Sequence, residues 1–152
     1  MKTVILTSGP RGAGKSTYCK RVVAENQDIR FVSRDEILIQ KFGGTSLDPY
    51  AGAHYYAMEV MWEEARKILS ANTPDITLLI DCWNGCALER NQLIRACTHH
   101  GADRVIIWYF TTPLRNCLSW FAGRESGDAT DIAARRSCLW DWRLYHAQAG
   151  DL

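Results

Sequence analysis

Short apolar runs alternate along this chain with longer segments of helical period. Thr3-Val4-Ile5-Leu6-Thr7, Ile29-Arg30-Phe31-Val32-Ser33, Ile76-Thr77-Leu78-Leu79-Ile80-Asp81 and Val105-Ile106-Ile107-Trp108-Tyr109-Phe110 are rich in β-branched and aromatic residues. They predict buried strands at about 2–8, 29–33, 76–81 and 105–110. Helical patterning predicts helices at about 15–25, at 35–41 before Gly43-Gly44, at 51–70, at 87–99 closed by Gly101, and at 131–148. In the 51–70 segment the expected buried stripe is Tyr55, Met58, Trp62, Ala65 and Leu69. Thr112-Pro113 predicts a further helix start, with the threonine as cap and the proline in the first turn. Gly123 to Thr130 is polar and glycine-containing, which predicts a mobile loop. Strand–helix alternation implies an α/β fold: a mostly parallel sheet of four or five strands with helices on both faces. The 152 residues suit one domain with one core.

Chemistry enters between the first strand and the first helix. Gly9-Pro10-Arg11-Gly12-Ala13-Gly14-Lys15-Ser16 fits Gly-x-x-x-x-Gly-Lys-Ser, the phosphate-binding P-loop, in the strand–loop–helix context the motif requires. Glycine lets the backbone wrap an anion with its N–H groups facing inward, and the helix that follows adds unpaired N–H groups and a positive dipole end. Gly9, Gly12, Ala13 and Gly14 are therefore expected to line a bound nucleoside triphosphate. Lys15 supplies a cation for the β- and γ-phosphates, Ser16 a hydroxyl for Mg²⁺, and Thr17 is placed for the α-phosphate.

The bulk numbers narrow the partners. A net charge of +1 argues against a broad basic face for duplex nucleic acid but leaves room for a groove holding one strand end. No apolar stretch is long enough to span a membrane, and a strand at residue 3 leaves no space for a signal peptide, so a cytoplasmic protein is expected. The six cysteines form no Cys-x-x-Cys pair and fall mostly in apolar periodic segments, as buried thiols do. Six tryptophans are many for this length; for Trp120, Trp140 and Trp142 core or interface packing is the default.

Three further residues sit where ligands gather in open α/β sheets. Asp81 ends the third strand, where an acid either completes the Mg²⁺ shell opposite Ser16 or caps the next turn. Asp35 follows the second strand. It is either a general base for an acceptor hydroxyl or a helix N-cap, and Glu36 beside it is a first-turn dipole partner. Arg124 lies in the expected loop, either as a lid arginine closing on the γ-phosphate or as a solvated charge paired with Glu125. Arg115 is a second candidate for that arginine, and His54 with Tyr55 and Tyr56 for lining the acceptor pocket.

Taken together, the P-loop, Ser33-Arg34-Asp35-Glu36, Leu79-Ile80-Asp81 with Asn84, and Trp108-Tyr109-Phe110-Thr111-Thr112-Pro113 resemble the kinase domain of phage polynucleotide kinase-phosphatases. The wider group also holds zeta toxins and chloramphenicol phosphotransferase. The resemblance implies a single P-loop kinase domain over 1–152, a P-loop NTPase three-layer sandwich with a helical lid at about 121–131. It implies ATP phosphates and Mg²⁺ on Lys15 and Ser16, Asp81 supporting the site beside the metal, Asp35 as base on a polynucleotide 5′-hydroxyl and Arg124 as lid arginine; Trp120 stands where the family pattern has a basic residue beside the adenine. One departure matters: the family pattern has an arginine three residues after the catalytic aspartate, and here that position is Leu38. The rival expectations are a kinase of nucleosides, nucleotides, sugars or antibiotics, and a nucleotide-gated binding protein.

Overall fold

The computed structural model describes residues 1–45 and 52–147. Strands β1 (Lys2–Ser8), β2 (Ile29–Ser33), β3 (Ile76–Asp81) and β4 (Arg104–Tyr109) form one sheet in the order β2-β3-β1-β4. Every pairing is parallel, with Ile5 opposite Leu79 on one side and Ile106 on the other. Helices α1 (Lys15–Glu25), α2 (Arg34–Phe42), α3 (Ala53–Ser70), α4 (Ala87–His99), α5 (Leu114–Ser126) and α6 (Ile132–Ala147) complete the described chain. Most ends lie within two residues of the sequence expectation; Ala51 and Gln148, the expected ends of two helices, lie outside the described residues.

Side chains alternate across the sheet, and both faces are covered. Val4 and Leu6 join Met61, Ala65 and Leu69 of α3 and Leu93 and Cys97 of α4 in one core. Ile5 and Leu79 face the opposite way, onto Cys19 and Val23 of α1. Burial on both faces explains why the strands read as continuous apolar runs rather than alternating ones. This is the expected three-layer arrangement. The pair α5 and α6 packs together and covers the P-loop: Cys117, Phe121 and Cys138 gather around Ala13.

Four local expectations are corrected. The buried stripe of α3 is Ala53, Ala57, Met61, Ala65 and Leu69. Met58 and Trp62 pack at its margin, but Tyr55 is 72% exposed. The alanines are chosen by α2, whose fully buried Leu38 sits on Ala53 and Ala57. Neither Tyr55 nor Tyr56 is core; Tyr56 meets Phe42 edge-on at the surface. Second, the loop expected over 123–130 begins later, because α5 runs to Ser126 and stops at left-handed Gly127. Asp131 then caps α6 by accepting the Ala134 N–H at 2.8 Å. Third, Thr112 does not cap α5, where Pro113 occupies the cap position; its hydroxyl donates to the Ala13 carbonyl at 2.7 Å, tying the P-loop down. Fourth, Asp35 is not the cap of α2. Ser33 is, accepting the Glu36 N–H at 3.3 Å, while Glu36 also pairs with Lys20 of α1.

Leu38→Ala empties the α2–α3 contact. The expected loss is about 2–5 kcal/mol of unfolding free energy, read from the urea midpoint.

Candidate active site

The P-loop takes its shape from two left-handed glycines and from contacts outside itself. Gly12 has φ +75, and a Cβ there would lie 2.4 Å from the Cys117 carbonyl oxygen of α5. Gly14 has φ +87 and opens α1. Gly9 abuts Phe110, whose Cβ would lie 2.8 Å from an added Cβ. Close approach of α5 and of the β4 exit thus selects glycine as firmly as phosphate access does.

Helix α6 grips the other side of the loop at Arg11. The Arg11 N–H donates to Asp141 Oδ2 at 2.7 Å, its guanidinium donates to Ser137 Oγ at 2.6 Å, and the Cys138 thiol donates to its carbonyl at 3.3 Å. Asp141 is fully buried, and its other oxygen accepts the Trp83 indole N–H at 2.7 Å. Asp141, Ser137, Cys138 and Trp83 were not singled out in the sequence. The available signal was a carboxylate at Asp141 on the helical face that also carries Cys138 and Tyr145, all three buried.

The expected chemistry-bearing residues come together around a cavity of ≈ 380 Å³. Gly12, Ala13, Gly14, Lys15, Ser16 and Thr17 line it on the loop side, and Asp81, Asp35 and Arg124 are among its other walls. Gly9 and Trp120 are not among its walls; Gly9 lies behind the loop, and the Trp120 ring stands 3.7 Å from the Cβ position of Gly14. Lys15 Nζ donates to the Gly9 and Pro10 carbonyls at 2.7 and 3.0 Å. Burial pushes this ammonium below its usual pKa, and the carboxylates of Asp81, Asp141 and Asp35 oppose the shift while Arg124 adds to it. Four charges from four elements therefore converge on one lysine.

Asp81 is 5% exposed and accepts from Thr7 Oγ1 at 2.6 Å and Ser16 Oγ at 3.2 Å. One hydroxyl and one carboxylate, both hard oxygen donors, suit Mg²⁺, which keeps most of its shell as water and phosphate oxygens. Among the described residues no group of three or more His, Cys, Asp or Glu is placed to hold a metal, so the donor set fits a shared site of that kind rather than an all-protein cage. Asn84 is structural: its N–H meets Tyr145 Oη at 2.9 Å and its amide meets the Thr7 carbonyl at 2.8 Å.

On the β2 side, Asp35 is half-exposed and accepts from Arg34 Nη2 at 3.2 Å. Arg34 is itself only 20% exposed, and its Nε is buried without a partner. His54 also lines the cavity. Arg124 rides the last turn of α5, exposed and paired with Glu125 at 3.2 Å. Arg115 is exposed and does not reach the cavity walls. All six cysteines are free thiols and five are buried.

A parallel four-stranded sheet, a P-loop feeding α1 and a strand-end acid beside it define a P-loop kinase fold. The sequence profile of the AAA domain family matches residues 4–144, and the chain belongs to that family. A comparison with curated protein sequences finds no match. Among solved structures, a chain of the Pnkp1/Rnl/Hen1 RNA repair complex superposes with a TM-score of 0.81 at 16% identity, over 99% of this chain and 46% of that one. A second structure of the Pnkp1/Rnl/Hen1 complex gives 0.65 at 19% identity, over 77% and 38%. The chain thus spans less than half the length of those chains. Shikimate kinase from Acinetobacter baumannii, in complex with shikimate, gives 0.57 at 18% identity, over 97% and 79%. Among the described residues no helix is long and apolar enough to cross a membrane.

Gly12→Ala is expected to weaken ATP binding at least ~10-fold and to cost about 2 kcal/mol or more, since α5 must move away. Gly123→Ala, inside α5 with nothing within 4 Å of its Cβ position, is expected instead to stabilise by up to about 1 kcal/mol. Thermal melts with and without nucleotide separate the two.

Proposed function

We propose that this chain transfers the γ-phosphate of ATP to a hydroxyl acceptor, and that the acceptor is the 5′-hydroxyl end of a single-stranded polynucleotide. The observation that carries the reading is a shared wall: Lys15, Ser16, Asp35 and Arg124 border one cavity. In this reading Lys15 and the loop N–H groups hold the β- and γ-phosphates, and Trp120 flanks the nucleotide. Mg²⁺, held by Ser16 and Asp81, supplies neutralisation of phosphate charge when bound. The acceptor oxygen attacks the γ-phosphorus in line, forming a new P–O bond. Its proton passes to the Asp35 carboxylate. The bond from the γ-phosphorus to the β,γ-bridging oxygen breaks, and ADP leaves with the electron pair. Arg124 meets the charge of the transition state and helps exclude water. Catalysis is chiefly positioning and charge stabilisation.

Two observations favour a polynucleotide end. Arg34 brings a partly buried guanidinium, with one buried unpartnered N–H, to the cavity beside Asp35, which suits an acceptor carrying a phosphate. The fold also superposes on a chain from an RNA repair complex over nearly all of its length. Burial of Leu38 beneath α3 favours the second reading, a small-molecule kinase, because the arginine position of the phage pattern is turned into the core. Six free thiols fit a reducing compartment such as the cytosol.

Labelled ATP offered with a 5′-hydroxyl oligonucleotide and a panel of small alcohols decides between the readings; label on the oligonucleotide is expected, and label only on a small alcohol overturns the acceptor assignment. Asp35→Asn is expected to lower the transfer rate by at least ~10²-fold while leaving ATP affinity within about twofold. A rate indifferent to that substitution supports a nucleotide-gated binding protein instead. Lys15→Ala is expected to abolish ATP binding by titration calorimetry.

A further inference from the structure

Two tryptophans, Trp83 and Trp140, line the cavity that Asp35 also lines, and the kinase reading leaves both without a role. In the sheet order β3 lies between β1 and β2, so the chain leaving β3 through Trp83 runs between the P-loop and the Asp35 end of β2. Trp83 thus stands between the loop that the kinase reading gives to ATP and the aspartate that it gives to the acceptor. Trp83 is held in one pose. Its indole N–H donates to Asp141, its ring meets Tyr145 edge-on at 6.3 Å and 83°, and Gly85 leaves room for it, since a Cβ there would lie 2.4 Å from the ring. Trp140 completes the wall from α6. It is 59% exposed, and among the described residues its side chain makes no hydrogen bond or ring contact.

We propose that Trp83 and Trp140 form an aromatic platform that stacks the terminal nucleobase of the acceptor, so that the site reads a base-bearing 5′ end rather than a bare sugar-phosphate. This rests on the polynucleotide reading above. An immobilised ring takes a planar ligand at little cost in conformational freedom, and every base offers a π-face, so stacking here holds the end without reading its sequence. One fixed and one open indole on the walls of a single cavity offer such a face to an entering base. The stacked base then sets where its 5′-oxygen falls relative to Asp35.

The test compares two 5′-hydroxyl oligonucleotides, one with a normal first nucleotide and one whose first residue is an abasic tetrahydrofuran. The wild-type protein is expected to prefer the base-bearing end by ~5-fold or more in kcat/KM, the low end of the known worth of base–aromatic stacking. Trp140→Ala is expected to erase most of that preference by raising KM for the normal oligonucleotide, with KM for ATP unmoved, and Trp140→Phe to restore part of it. Equal use of both ends by the wild type overturns the platform while leaving the kinase reading intact. A rise in KM for ATP in Trp140→Ala also overturns it, by assigning the ring to the nucleotide. No label on either oligonucleotide overturns the acceptor reading and the platform together.

Discussion

The site depends on one buried carboxylate. Asp141 holds the Arg11 N–H of the P-loop with one oxygen and the Trp83 indole with the other, each at 2.7 Å. A hydrogen bond to a charged group is worth roughly 1.5–3 kcal/mol, and a buried charge that loses a partner costs more than the bond returns. So the phosphate loop and the segment leaving β3 are not independent. Both are referenced to α6, and through α6 to α5, whose Cys117 carbonyl limits Gly12 and whose entry holds Ala13 through Thr112. A loop that must present its N–H groups inward is kept in that shape by bonds made on its outer side.

Much of this architecture was legible because its signals are local. The strands announce themselves as unbroken apolar runs, since a parallel sheet covered on both faces has no polar side to show. The glycine loop carries its chemistry in eight consecutive residues, and Asp35 and Asp81 follow from standing at strand ends. What escaped depends on distant partners. Arg11 and Asp141 are 130 residues apart, and nothing in a helical period says that its one buried acid will meet a loop N–H. Thr112 before Pro113 has the local chemistry of a cap, yet a carbonyl 99 residues away claims its hydroxyl. Gly123 suggested a loop because composition cannot tell a glycine that breaks a helix from one that a helix merely tolerates.

The comparisons find this scaffold in a chain of an RNA repair complex and in shikimate kinase. What the superpositions share with this chain is the fold. Around α2, α3, α6 and the β3 exit this chain has Leu38 turned inward, Arg34 lining the cavity, and indoles on the wall. Function in such folds lives in residues of this kind rather than in the scaffold.

Arg124 stands on the final turn of a helix, and only Gly127 to Asp131 separates that helix from α6. It is consequently carried by a helix rather than by a loose loop. Arg124 already lines the cavity, and the two-helix hairpin that bears it is tied to the P-loop by the bonds at Thr112, Arg11 and Asp141. The glycine loop and the helix pair that carries the arginine, far apart in sequence, are thus held by one set of contacts.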